Sequence, residues 1–211
     1  MPGAFSQIFQ ELSSKGPQLC LTLSSKLSGT YLSACTGKNN SGVDVVIFDT
    51  QAGSLGHGIQ LLKAAELTAQ GLPREEIIKK LTQFRSEMNI FILFNTLENI
   101  VKGGRLNKFT GTMAKILDIK VLAEGVNGAV EVTEKIRGKK RFLHKVLEII
   151  SQRRADFSDR IIGISHLDNL EDAEYLRLKI IEQFHPKDVI VNYMGPTMGT
   201  YAGKGGMIIS F

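Results

Sequence analysis

The chain has no tryptophan, two cysteines, five prolines and four histidines among its 211 residues. Each scarcity closes a class of protein. Cys20 in a strand-like run and Cys35 in a helix-like run have no metal-ligand spacing around them, so both are read as buried thiols rather than a disulfide or a zinc site. Scarce proline, with 43% apolar and 22% charged residues, describes an ordinary globular chain able to bury a core. No stretch approaches the ~20 apolar residues that span a bilayer. Met1-Pro2-Gly3-Ala4-Phe5 lacks the basic flank and apolar run of a signal peptide, so the cytoplasm is the expected compartment. His57, His144, His166 and His185 share no metal-binding spacing, and no Gly-x-Ser-x-Gly elbow is present. No metal and no cofactor are expected, while Ser-His-Asp chemistry stays possible in principle because triads assemble from distant residues.

A formal net charge of +5 raises the question of nucleic acid. Most basic residues are mixed with acidic ones, as in Arg74-Glu75-Glu76, and no helix-turn-helix, RNP-type or zinc-finger spacing occurs, so nucleic acid is not an expected partner. One cluster, Arg137, Lys139, Lys140 and Arg141 with Lys145, Arg153 and Arg154, reads as a solvated helix face, with an acidic partner or phosphate as the second reading.

What the sequence does contain is a hydroxyl-rich turn, Leu23-Ser24-Ser25-Lys26-Leu27-Ser28-Gly29-Thr30-Tyr31, between a strand-like run and a short helical pattern. Ligands of open α/β sheets bind at the carboxyl ends of strands, and a helix N-terminus favours carboxylate or phosphate. Two readings stand: an anion-headed ligand at this turn, or Ser28 as a helix cap with Ser24 and Ser25 filling a polar loop. Asp49-Thr50 at the next strand end either orients a loop through its carboxylate or caps the helix near Gly53. Gly199–Gly206 lacks Walker order and precedes a strand; it is a tight turn or a backbone passing close to a head group, with Thr200 and Tyr201 supplying hydroxyls.

In chain order the spacing predicts helix 4–14, strand 18–24, helix 27–34, a loop over Lys38–Gly42, strand 44–49, and helices 53–70 and 74–87. The α/β class with a doubly wound parallel sheet follows, yet two strands make a poor sheet. Either Ile90–Phe94 joins them or the domain lacks an N-terminal portion. Beyond it come a short helix ending at Lys102-Gly103-Gly104-Arg105, a helix over about 108–117, and a hairpin at Asn127-Gly128. Helix 138–154, strand 160–165, helix 170–184, strand 188–193, a helical turn and strand 206–211 complete a second α/β unit with a mixed sheet. Residues 1–88 and 89–211 are the expected domains. Leu55, Ile59 and Leu62, like Met113, Ile116 and Leu117, read as core, although such stripes also line lipid slots.

Together these motifs resemble the DegV family, bacterial fatty-acid-binding proteins also called fatty acid kinase B subunits. Ser24-Ser25-Lys26-Leu27-Ser28-Gly29-Thr30-Tyr31-Leu32-Ser33-Ala34 is similar to the family's Ser-Ser-x-Leu-Ser-Gly-Thr-Tyr-x-Ser-Ala signature. Pro2-Gly3-Ala4-Phe5, Phe48-Asp49-Thr50, Lys102-Gly103-Gly104-Arg105, Ile136-Arg137-Gly138-Lys139-Lys140 and Gly195–Gly203 resemble further family segments. The resemblance implies a two-domain protein, with a truncated first domain, that holds a long-chain fatty acid between its domains. It presents the carboxylate to an ATP-dependent fatty acid kinase, which makes acyl phosphate for phospholipid synthesis, with transient contact at a membrane surface. On this pattern Ser25, with Ser24 or Ser28, binds the carboxylate, Gly29 lets the backbone approach it, Thr200 and Tyr201 line the head group, and Arg105 and Arg137 contact the kinase or phosphate.

Two departures accompany the resemblance. The family's first strand, its Thr-Asp-Ser turn and a carboxylate-binding threonine would lie before Met1. Tyr201 stands where the family has histidine, offering a hydrogen bond but no positive charge at neutral pH. A hydrolase or transferase with Ser25 as nucleophile, and a fragment that binds nothing, remain as alternatives to the carrier.

Overall fold

The computed structural model describes residues 1–106 and 119–211, so the expected helix over 108–117, with Met113, Ile116 and Leu117, lies outside the described residues. The chain divides into two compact units: Met1–Gly53 with His57–Met88, and Ser54–Gly56 with Asn89–Phe211.

In the first unit α1 (Pro2–Glu11) precedes β1 (Gln18–Thr22), α2 (Thr30–Ser41), β2 (Val45–Asp49), α3 (Ser54–Ala69, whose first residues group with the other unit) and α4 (Arg74–Glu87). β1 and β2 pair in parallel, from Gln18 opposite Val45 to Thr22 opposite Asp49. Phe48 packs with Ala64 and Leu67 of α3 and Ile77 and Leu81 of α4, flanked by Leu19 and Leu21 of β1. α2 reaches Ser41 and ends on Gly42 in the left-handed conformation, so the expected loop over Lys38–Ser41 is helix; polar Lys-Asn-Asn-Ser misleads because it forms an exposed last turn closed by a glycine cap. Leu62 is also corrected: it is 49% exposed. α3 buries Gln60, Ala64 and Leu67, and at 100° per residue Leu62 falls about 160° away from Gln60.

The second unit is built on a six-stranded sheet. β3 (Ile90–Phe94) leads to α5 (Glu98–Lys102), then β4 (Ile119–Val126), β5 (Ala129–Arg137), α6 (Lys139–Arg153), β6 (Ile161–His166), α7 (Leu170–Phe184), β7 (Asp188–Tyr193), α8 (Pro196–Ala202) and β8 (Met207–Ser210). The order is β5-β4-β3-β8-β6-β7, antiparallel except for the β6–β7 pair. Ile90–Phe94 therefore does not complete the first sheet; it pairs with β4 and β8, and its continuous apolar run fits a strand buried in mid-sheet. Asn127 and Gly128 both take positive φ, the two-residue turn that hairpin twist demands. α6 and α7 pack Phe142, Val146, Ile150, Ala173, Leu176 and Ile180 against the sheet.

Candidate functional site

The hydroxyl-rich turn is fixed from both strand ends of the first unit. The Ser24 N–H donates to the Ala52 carbonyl at 2.8 Å, and Thr50 donates through both N–H and hydroxyl to the Thr22 carbonyl, at 3.1 and 2.7 Å. Asp49 Oδ1 accepts from the Ser25 N–H at 3.2 Å and the Gln51 N–H at 2.9 Å. Of the two readings for Asp49, loop orientation is the one observed. Arg85 braces this end, donating to the Asp49 carbonyl at 2.5 Å with its guanidinium 4.8 Å from the centre of the Phe48 ring.

Within the turn the serines have different duties. Ser24 is fully buried and its hydroxyl accepts from the Lys26 N–H at 3.2 Å. Ser28 accepts from the Thr30 N–H at 3.3 Å and shares a 2.9 Å contact with the Thr30 hydroxyl. Ser25 is exposed, and its hydroxyl has no hydrogen-bond partner among the described residues. Strand alternation carries past the end of β1: Thr22 and Ser24 turn inward, Ser25 outward.

Next to Ser25 lies the start of α2. Its cap residue is Gly29, without a side-chain cap bond, and its first turn contains no acidic residue. Ser28 thus serves the first N–H of this twelve-residue helix, that of Thr30, while no acidic side chain of the first turn offsets its positive dipole end. Such an end, beside a free hydroxyl donor, suits a carboxylate.

Cys20 and Cys35 are free thiols, half-buried rather than fully buried. Burial, then the neighbouring Cys35, pushes the Cys20 thiol up, and Cys35 is the main cause of a raised Tyr31 phenol. A thiol held in its protonated form is a poor nucleophile. His57 lies in α3 with Nε2 buried and without a partner among the described residues; burial pushes its imidazole down, opposed by a bond to the Leu21 carbonyl.

Among the second unit's candidates, Arg105, Thr200 and Tyr201 come together. Thr200 and Tyr201 belong to α8, so this stretch is helix, and the tight turn follows at Gly203–Gly206. The Thr200 hydroxyl donates to the Pro196 carbonyl at 2.8 Å, and the Thr200 carbonyl accepts from Asn99 at 2.9 Å. The Arg105 guanidinium sits 5.3 Å from the centre of the Tyr201 ring and donates to the Gly103 carbonyl at 2.6 Å. A side chain at Gly103 would collide with that ring. Gly103 was legible only as turn punctuation; its service as the seat of Tyr201 depends on a contact across about a hundred residues. Arg137 stands apart, exposed at the end of β5 beside the basic start of α6. Among the described residues no group of acidic, histidine and cysteine side chains is placed to hold a metal, and no helix is long and apolar enough to cross a membrane.

The family model for uncharacterised proteins of the DegV family matches residues 1–211. A DegV domain-containing protein of Clostridium acetobutylicum is 31% identical over 204 residues, covering 96% of this chain and 72% of its own length. A DegV family protein from Thermus thermophilus, solved in connection with fatty acid binding, superimposes with a TM-score of 0.90 at 25% identity, over 100% of this chain and 76% of that one. The fatty acid kinase B3 protein of Streptococcus pneumoniae, solved with linoleic acid, shares the fold at a TM-score of 0.84 and 22% identity, over 98% of this chain and 75% of that one.

Proposed function

The chain belongs to the DegV family, and from that premise we propose that it binds a long-chain fatty acid and presents the carboxylate to a partner fatty acid kinase, which forms the acyl phosphate. The observation that carries this reading is the exposed, unpartnered Ser25 hydroxyl beside the start of α2, whose first turn holds no acidic residue. Ser25 donates to the carboxylate, Gly29 leaves room for close approach, and Ser28 and the buried Ser24 hold the turn in shape. Thr200 and Tyr201 add polar contacts at the head group, the phenol of Tyr201 donating without a charge. Arg105 and Arg137 contact the kinase or the phosphoryl group, where a planar guanidinium matches phosphate oxygens.

The tail supplies most of the affinity, at ~0.8 kcal/mol for each CH₂ removed from water. The fatty acid binding reported for the Thermus protein supports the ligand class. In this reading the protein is a cytoplasmic carrier; phosphoryl transfer belongs to its partner, and the carrier needs no cofactor. Native mass spectrometry of the freshly purified chain, followed by denaturing extraction, tests it. One fatty acid per chain is the expected result. A chain that carries none and takes none up from added oleate overturns the reading.

A further inference from the structure

Helix α6 opens with Lys139-Lys140-Arg141 and has no acidic residue in its first turn. Cations there face the positive end of the helix dipole, so the local sequence works against the helix it begins. Strand β5 ends just before it, and the two elements flank an open groove of about 830 Å³. Lys135 and Arg137 line it from the strand, and Lys140, Arg141, His144 and Lys145 from the helix. Glu134 and Glu148 are the acidic residues of the lining, leaving five fixed positive charges against two negative ones, a net +3.

Internal pairing leaves much of this charge uncompensated. Lys139 is held by Asp172 at 2.7 Å and Glu171 at 3.8 Å, and Lys145 by Glu148 at 3.1 Å. The side chains of Arg137, Lys140, Arg141 and His144 make no hydrogen bond or ion pair among the described residues. A helix face that needed only solvation would not require cations gathered in one concavity, where they repel one another.

We propose that the groove between β5 and α6 binds a phosphate-bearing group. Two guanidiniums, Arg137 and Arg141, offer planar forks that match phosphate oxygens, and Lys140 and Arg141 bring the first turn of α6 into the lining. The volume falls within the range of small-molecule sites. The net charge of the groove suits a multiply charged anion better than the single charge of a fatty acid carboxylate. The inference shares Arg137 with the kinase-contact reading above and needs no other part of it. The phosphate comes either from a soluble phosphorylated compound or from a phospholipid headgroup.

The test uses the full chain at fixed ionic strength. Pyrophosphate is titrated by calorimetry, and vesicles of phosphatidylglycerol are compared with vesicles of phosphatidylcholine by cosedimentation. Pyrophosphate binding identifies the soluble source and selective binding to phosphatidylglycerol the headgroup; either supports the site. Lys140→Glu combined with Arg141→Glu weakens the positive probe about tenfold or more, as loss of charge-assisted bonds predicts. Glu148→Gln removes a competing acid, releases Lys145 and strengthens binding roughly twofold, a gain that a folding defect does not produce. Lys79→Glu, an exposed change on α4, leaves binding unaltered. Three results overturn the proposal: no saturable binding of either probe, binding indifferent to the double substitution, or polyglutamate competing as well as pyrophosphate, which would make the groove a surface for acidic protein. The mass of bound fatty acid in the same variants stays unchanged, so failure here and failure of the carrier reading are separate outcomes.

Discussion

Ser24 and Ser25 are chemically identical neighbours whose hydroxyls are placed differently: one is buried and bonded within the turn, the other is exposed and is the donor of the proposed carboxylate site. Ser25→Ala removes nothing that the empty protein uses, so its thermal midpoint without lipid stays close to the parent value. Fatty acid affinity falls about tenfold, the worth of one hydrogen bond to a charged group, measured by competition with a fluorescent fatty acid. Ser24→Ala does the reverse: it strips the Lys26 N–H of its acceptor at a cost of about 1 kcal/mol, lowering the midpoint by roughly 2–4 °C. The signature alone does not tell the two serines apart, but extending the alternation of β1 by two residues does. His57 gives a pH signature. Its folded-state pKa is lowered, so the unfolded chain takes up the proton first, and this site's contribution is complete above the unfolded value of about 6.5 and is lost as pH falls below it. His57→Asn, which keeps a donor for the Leu21 carbonyl, flattens the decline in stability between about pH 7 and 5 in urea titrations.

Elements were legible where periodicity and punctuation agreed. Asn127-Gly128 announced its hairpin, and Gly71-Leu72-Pro73 separated α3 from α4, because each turn needs a backbone conformation that few residues provide. Membership of a sheet was not legible. β3 reads the same whether it joins β2 or β4, since a fully buried strand shows no face. The close crossing of α1 and α2 was hidden as well: Gly37, within α2, leaves no space for a methyl group, which would stand 2.5 Å from Phe5 Cβ and 2.8 Å from the Pro2 carbonyl oxygen. Gly37→Ala raises intrinsic helix propensity but forces the two backbones apart. The second effect wins, with a net loss of about 1–3 kcal/mol seen as a lower urea midpoint. Gly103→Ala displaces the Tyr201 ring from its seat and from Arg105. In a chain without tryptophan this change is directly visible in tyrosine emission.

At the scale of the molecule, each unit has its own apolar cluster, one centred on Phe48 and Leu81, the other on the aromatic group of Phe91, Phe157, Phe184 and Phe211. A ligand that binds only the folded protein raises its stability by mass action, so oleate at a hundred times its dissociation constant adds about 2.7 kcal/mol. Scanning calorimetry of delipidated protein with and without oleate checks this, and an unmoved transition counts against binding. The α/β class was readable from the alternation of strands and helices; the strand order was not, because β8 enters mid-sheet from the far end of the sequence.

That placement of β8 bears on how the protein is made. β8 lies between β3 and β6, and more than a hundred residues separate it from β3. At about 5–20 residues per second, a ribosome leaves the bare edge of β3 waiting on the order of ten seconds for its neighbour. Through that interval a nascent chain exposes a Phe- and Ile-rich strand, which makes it a client for chaperones during translation. Slowing elongation before the last strand is expected to lower soluble yield, without altering the finished protein.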